Sequence, residues 1–134
     1  MGYEMPTKSL RILIFDSRHS QRMEVEKLLN ARGYYRIVPV ERFTELIRLV
    51  KQTLVAFDLV IMHGNSIDEA RFGFDLDSFC RTSQGFRHAM IYDQPVDVTE
   101  MDWSYSRVIK KVSSFPDRIA INSLMALIDT ACKE

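Results

Sequence analysis

Apolar residues along this 134-residue chain fall into two alternating patterns: short uninterrupted runs, and longer stretches in which apolar positions recur three and four residues apart. Leu10–Phe15 (LRILIF) is a compact apolar run with β-branched members, which predicts a strand. Ser17–Arg32 follows, with Val25, Leu28, Leu29 and Arg32 at helical spacing and Gly33 placed to stop the helix. Tyr35–Val40 predicts a second strand. Pro39 has no N–H for a sheet ladder, so this strand belongs at an edge. Phe43, Leu46, Ile47, Val50 and Leu54 define an amphipathic helix. Leu59–Met62 is apolar throughout, as expected for a strand covered on both faces.

Ser66 and Glu69 have the spacing of a capping box for a third helix, with Phe72, Leu76, Phe79 and Cys80 on its inner face and Gly73 weakening it. Ala89–Tyr92 predicts a fourth strand, Val96–Tyr105 a short helix, Val108 and Ile109 a fifth strand, and Asp117–Cys132 a closing helix. A regular βα alternation implies a parallel sheet with helices on both faces. The expected fold class is therefore α/β: a five-stranded, doubly wound parallel sheet of order 2-1-3-4-5, spanning residues 10–134 after a tail at 1–9. The edge position required by Pro39 agrees with that order. Ligands of such sheets sit beyond the carboxyl ends of the strands, where the strand order reverses. That places Asp16 and Ser17, His63 to Asn65, Tyr92 to Gln94, and Lys110 to Ser113 together.

Composition narrows the chemistry. Lys+Arg and Asp+Glu are 18 each, so the formal net charge is zero. A dedicated nucleic-acid binder normally carries a basic excess, so no nucleic-acid partner is expected. Cys80 and Cys132 have no Cys or His at metal-ligand spacing, which argues for free thiols and no metal site. The polar segment Met1–Ser9 lacks the apolar core of a signal peptide, and no apolar run approaches the ~20 residues of a membrane span. These features predict a cytoplasmic protein without a membrane partner.

Three segments, LRILIFDSRHSQR, FDLVIMHGN and RVIKKVSSFPDRI, occur in the order and spacing of the receiver domain of two-component response regulators. The chain resembles that family from about Leu10 to Ala131, and the resemblance implies the same flavodoxin-like sheet. Receivers carry an acidic pair after strand one, a phosphoacceptor Asp ending strand three, a Thr or Ser after strand four, and a Lys after strand five. Asp16 falls on the first acid, and Ser17 stands in place of the second. His63 stands where the phosphoacceptor should be. Asn65 matches a loop position whose carbonyl helps hold the metal, Tyr92 or Asp93 occupies the Thr/Ser position, and Lys111 falls on the family's Lys.

The substitutions remove the family's chemistry. Magnesium prefers hard oxygen ligands, whereas a neutral imidazole is a poor one and cannot form an acyl phosphate. His63 is expected to fill the vacated acidic pocket and to pair with Asp16. Ser17, Arg18, His19 and Arg22 form a candidate anion site at a helix start; an ordinary N-cap with solvated basic residues is the competing expectation. No GxSxG, Walker, HExxH or GxGxxG motif is present, so neither an enzyme nor a cofactor is expected.

The resemblance thus implies a degenerate receiver without a following effector domain, acting on a partner protein of a signalling pathway or on a second copy of itself. A small-anion sensor and an atypical phosphoacceptor are the alternatives. Receivers associate through the surface around their last strand and helix. There Trp103, Tyr105, Ile119 and Met125 are the candidate interaction residues, because the closing helix has more apolar positions than a sheet-facing stripe of ~100° needs.

Overall fold

The computed structural model describes residues 9–67, 75–102 and 104–132. The strands are β1 (Ile12–Phe15), β2 (Ile37–Val40), β3 (Phe57–His63), β4 (Phe86–Tyr92), β5 (Val98–Asp102) and β6 (Arg107–Lys111). The helices are α1 (His19–Asn30), α2 (Phe43–Gln52), α3 (Leu76–Thr82) and α4 (Arg118–Cys132). The strands form one six-stranded sheet of order β2-β1-β3-β4-β6-β5.

Five of these strands run parallel in the expected order, β6 taking the place predicted for the fifth strand. The sixth corrects the expectation of a five-stranded sheet. Residues within the predicted helix Val96–Tyr105 form β5, antiparallel to β6, with Glu100 opposite Ile109 and Met101 opposite Val108. The segment Val98-Thr99-Glu100-Met101-Asp102 holds two apolar residues, Val98 and Met101, and two β-branched ones, Val98 and Thr99, so as a helix it would bury little. As a strand it supplies hydrogen-bond partners for the outer side of β6.

Helix and sheet packing follow the side-chain periods. Ile12, Ile14, Leu59, Ile61, Met90 and Val108 face one side of the sheet. They meet Val25 and Leu29 of α1 and Ile121, Leu124, Met125 and Ile128 of α4. Leu13, Phe15, Val60, Met62, Ala89, Ile91 and Ile109 face the other, against Phe43, Leu46 and Val50 of α2 and Leu76 and Cys80 of α3. β1, and β3 from Leu59 to Met62, are apolar without interruption because both of their faces are covered. α1 ends where Gly33 adopts φ 94°, a conformation that favours glycine, and the Tyr34 N–H returns to the Leu29 carbonyl.

Several local expectations are corrected. Leu54 lies beyond α2 and is fully exposed, because Thr53 already turns to an extended conformation. Arg32 follows α1 and is exposed. The described third helix starts at Leu76 and is capped by Asp75, whose Oδ1 accepts the Ser78 N–H at 3.3 Å. Ser66 lies ten residues before that start, with its hydroxyl against Ser17 Oγ and His63 Nδ1, and the expected capping box with Glu69 falls outside the described residues. Glu69, Phe72 and Gly73 lie outside the described residues, as does most of the expected N-terminal tail.

Candidate functional site

The carboxyl ends of β1, β3 and β4 converge on Asp16, a fully buried carboxylate. A charge in that setting requires a partner and filled hydrogen-bond sites. Arg18, two residues on, folds back over it. Its backbone N–H and Nε donate to Asp16 Oδ1 at 2.9 and 3.0 Å, and its Nη2 donates to Oδ2 at 3.0 Å. The Tyr92 hydroxyl, from the end of β4, donates to the same Oδ2 in a short hydrogen bond. Burial pushes the Asp16 pKa up, but the bonds from Arg18 and Tyr92 outweigh it and hold the carboxyl below its ordinary value. Burial and then the Asp16 charge raise the Tyr92 phenol, so its proton stays on oxygen.

His63 ends β3 and forms a second cluster against the first. Its ring is nearly buried, with Nε2 2.7 Å from Asp93 Oδ2 and Nδ1 2.7 Å from Ser66 Oγ. The Asp93 carboxylate accepts, so Nε2 carries a hydrogen. His63 Nδ1 stands 3.7 Å from Asp16 Oδ1, and the His63 and Tyr92 ring centroids are 5.2 Å apart. Asp93 reaches His63 from a left-handed backbone conformation, φ 59°, one that Asp adopts more readily than most residues. Asp93 Oδ2 also lies 3.7 Å from Arg18 Nη2, which joins the two clusters.

Ser17 turns to the short 3₁₀ turn Gly64–Ser66 that follows β3. Its N–H donates to Ser66 Oγ at 3.2 Å, and the two hydroxyl oxygens are 2.9 Å apart. Asp16, Ser17, His63, Tyr92 and Asp93 are therefore brought together, and Tyr92 and Asp93 both enter the site. Asn65 sits exposed in the same turn.

Lys111 is not part of this group. Its Nζ lies 2.5 Å from Asp77 Oδ1 on α3, and it makes no hydrogen bond or ion pair with Asp16, His63 or Asp93 among the described residues. The strand register explains this. Lys111 pairs with Ile91 and follows Ile109 on the α2/α3 side of the sheet, where Asp77 is the nearest acid.

The expected anion site is also corrected in part. Arg18 is committed to Asp16, and Arg22 donates to the Asp16 carbonyl at 2.8 Å and contacts His19 Nδ1 at 3.1 Å. Both guanidiniums serve the loop itself. α1 begins at His19, with Arg18 in the cap position and no side-chain cap.

Ser66 and the inward role of Arg18 were not legible as site features. The only sequence signal for Ser66 was its position three residues after His63. Magnesium needs close oxygen ligands, and here the Asp16 oxygens are occupied by protein donors. No group of three or more His, Cys, Asp or Glu among the described residues is arranged to hold a metal.

No protein-family model and no curated protein matches the chain. Among solved structures, a protein from Burkholderia pseudomallei described as a "putative pilus assembly-related protein" superposes with a TM-score of 0.65. The match covers 100% of this chain and 98% of that one at 14% identity, and at that identity it shows a shared fold.

Of the surface candidates, Tyr105 and Ile119 are exposed, at 70% and 75%. Met125 is corrected: it is 2% exposed and packs in the α1/α4 core. Its position lies on the buried face of α4 with Ile121 and Ile128, and so is not available to a partner. Trp103 lies outside the described residues. No described helix is long and apolar enough to cross a membrane.

Proposed function

We propose that this chain is a receiver-like interaction module of a cytoplasmic signalling or assembly pathway, working without catalysis and without phosphoryl transfer. The observation that carries this reading is the bidentate pairing of Arg18 with Asp16. The resemblance leads one to expect a metal ion and a phosphoryl group as exchangeable charges at this end of the sheet. Here a covalently attached guanidinium supplies the positive charge, and Tyr92 and His63 fill the remaining space. The site holds one charge state by its own residues, so its role is to fix the shape of the surrounding loops. The shared fold with a protein described as pilus assembly-related is in keeping with a role in building a protein complex.

The surface that does the work is the one around β5, β6 and the start of α4, where Tyr105 and Ile119 present apolar area to solvent. Scattered exposed apolar residues are common, so the reading depends on their contribution to association. The test is cross-linked capture from the native cell with and without a phosphodonor, using wild-type chain and Ile119→Glu. The reading expects the same partner in both conditions, weakened by Ile119→Glu, while the variant's stability stays within ~0.5 kcal/mol of wild type. Capture that requires the phosphodonor, or that is unchanged in folded Ile119→Glu, overturns it.

A further inference from the structure

Beside the Asp16 cluster, the loops after β1, β3 and β4 hold a linear hydrogen-bond chain: Ser17, Ser66, His63, Asp93. Donor counting fixes its direction. The Asp93 carboxylate only accepts, so His63 Nε2 donates to it at 2.7 Å. In the neutral ring Nδ1 is then a bare acceptor, and the Ser66 hydroxyl, 2.7 Å away, gives it its one hydrogen. The Ser17 hydroxyl, 2.9 Å from Ser66 Oγ, therefore donates to that oxygen, as the Ser17 N–H does at 3.2 Å.

A hydroxyl bonded to a base, with the base oriented by a third group, is the arrangement that activates a serine as a nucleophile. Asp16 Oδ1, 3.7 Å from His63 Nδ1, is a second carboxylate facing the imidazolium that forms when the ring takes the proton. Exposure rises along the chain: His63 is buried, Ser66 half-buried and Ser17 exposed, so the open approach is at the serine end.

We propose that Ser66 is an activated nucleophile that accepts a short acyl group from a donor with a weakly basic leaving group, such as a thioester or an acyl phosphate. Ser66 Oγ bonds to the acyl carbon as its hydrogen passes to His63 Nδ1. The bond from that carbon to the leaving group breaks, and the leaving group departs with the electron pair. His63 then returns the proton to the leaving group or to water. The Ser17 N–H and hydroxyl, now on Oγ, turn to the acyl oxygen as it gains charge. The product is one ester per chain, a modification of the module without turnover. An acylated Ser66 has no hydrogen to give His63, so acylation cuts the tie between the loops after β1 and β3.

The test incubates the full chain with p-nitrophenyl acetate and follows p-nitrophenol release, peptide mass and amide NMR. A burst of about one equivalent is expected, with a hydroxylamine-labile acetyl group on Ser66 and a shifted Ser17 amide. Ser66→Ala is expected to abolish the burst. His63→Gln and, separately, Asp93→Asn are expected to slow it at least ~tenfold in folded protein, as loss of a general base or its orientation does. Ring-nitrogen NMR at pH ~8, above the ordinary histidine range, is expected to show Nε2 protonated and Nδ1 bare. A burst retained in Ser66→Ala, acetyl found only on lysines, or a rate unchanged in folded His63→Gln and Asp93→Asn overturns the proposal. So does a bare Nε2 or a doubly protonated ring, and no burst at all means that the chain of hydrogen bonds is a static tie. Acetyl and phosphoryl groups differ in mass, so this result is read separately from any phosphorylation.

Discussion

The Tyr92 hydroxyl donates a hydrogen bond to the Asp16 carboxylate, joining the ends of two strands across 76 positions of sequence. Arg18 binds the same carboxylate from the other side. A buried acid at the end of a central strand is thereby fully occupied by two groups of the chain itself, and the stability of the loops depends on both.

Tyr92→Phe removes one donor to a buried charge and leaves the ring contact with Phe115, whose centroid is 5.5 Å from that of Tyr92. Hydrogen bonds to charged groups contribute about 1.5–3 kcal/mol. Urea unfolding is expected to show a loss in that range at neutral pH. A loss under ~0.5 kcal/mol would mean that Arg18 alone satisfies Asp16.

Arg18→Ala is expected to change the pH dependence of stability in sign as well as size. In the wild type the folded Asp16 pKa lies below its ordinary value of 3.8, so its contribution is present above 3.8 and is lost as pH falls through the folded value. Without the guanidinium, burial dominates and the folded pKa rises above 3.8. The variant's Asp16 then costs stability as pH rises through that higher value. The gap between the two proteins should be large at pH ~7 and shrink below pH ~4. Parallel stability curves would contradict the pairing.

His88 supplies a second, independent acid sensitivity. It is fully buried on β4, and its Nδ1 accepts the Val108 N–H at 2.9 Å. Burial, with Arg87 and Arg107 nearby, depresses its pKa from 6.5 to about 4. Between those values only the unfolded chain takes up the proton, so stability is full above 6.5 and falls toward 4, by on the order of 3 kcal/mol. His88→Leu strands the buried Val108 N–H and is expected to cost about 1–3 kcal/mol at neutral pH. The variant's deficit should narrow as pH approaches 4, read by urea titrations across that range. A deficit independent of pH would show that His88 is not buried neutral.

Most of the fold was legible because the sheet's interior strands are apolar on both faces and the helices α2 and α4 have clear stripes. Pro39 placed β2 at an edge without any tertiary information. β5 was not legible: its five residues bury little, so neither a two-residue nor a helical period is strong in Val98–Asp102, and its state is set by the open side of β6. Within the site, strand ends gave the positions of Asp16, His63, Tyr92 and Asp93. Side-chain direction was a different matter. Lys111 turned to Asp77 because strand pleat, not proximity in topology, decides which face a residue takes. Arg18 looked like a solvated basic residue, since nothing in sequence spacing reveals that a guanidinium folds back two residues onto a buried acid.

The account stands on the site being closed by its own residues. Its most direct test is incubation of the intact chain with acetyl phosphate and magnesium, read by intact mass and by the amide NMR signals of Asp16, His63 and Tyr92, beside a phosphorylatable receiver as control. The account predicts full phosphorylation of the control, no added phosphoryl group on this chain and no magnesium-dependent shift at those three amides. A stable phosphoryl group on Asp16, His63 or Ser66, or a saturable magnesium shift at Tyr92, would contradict it.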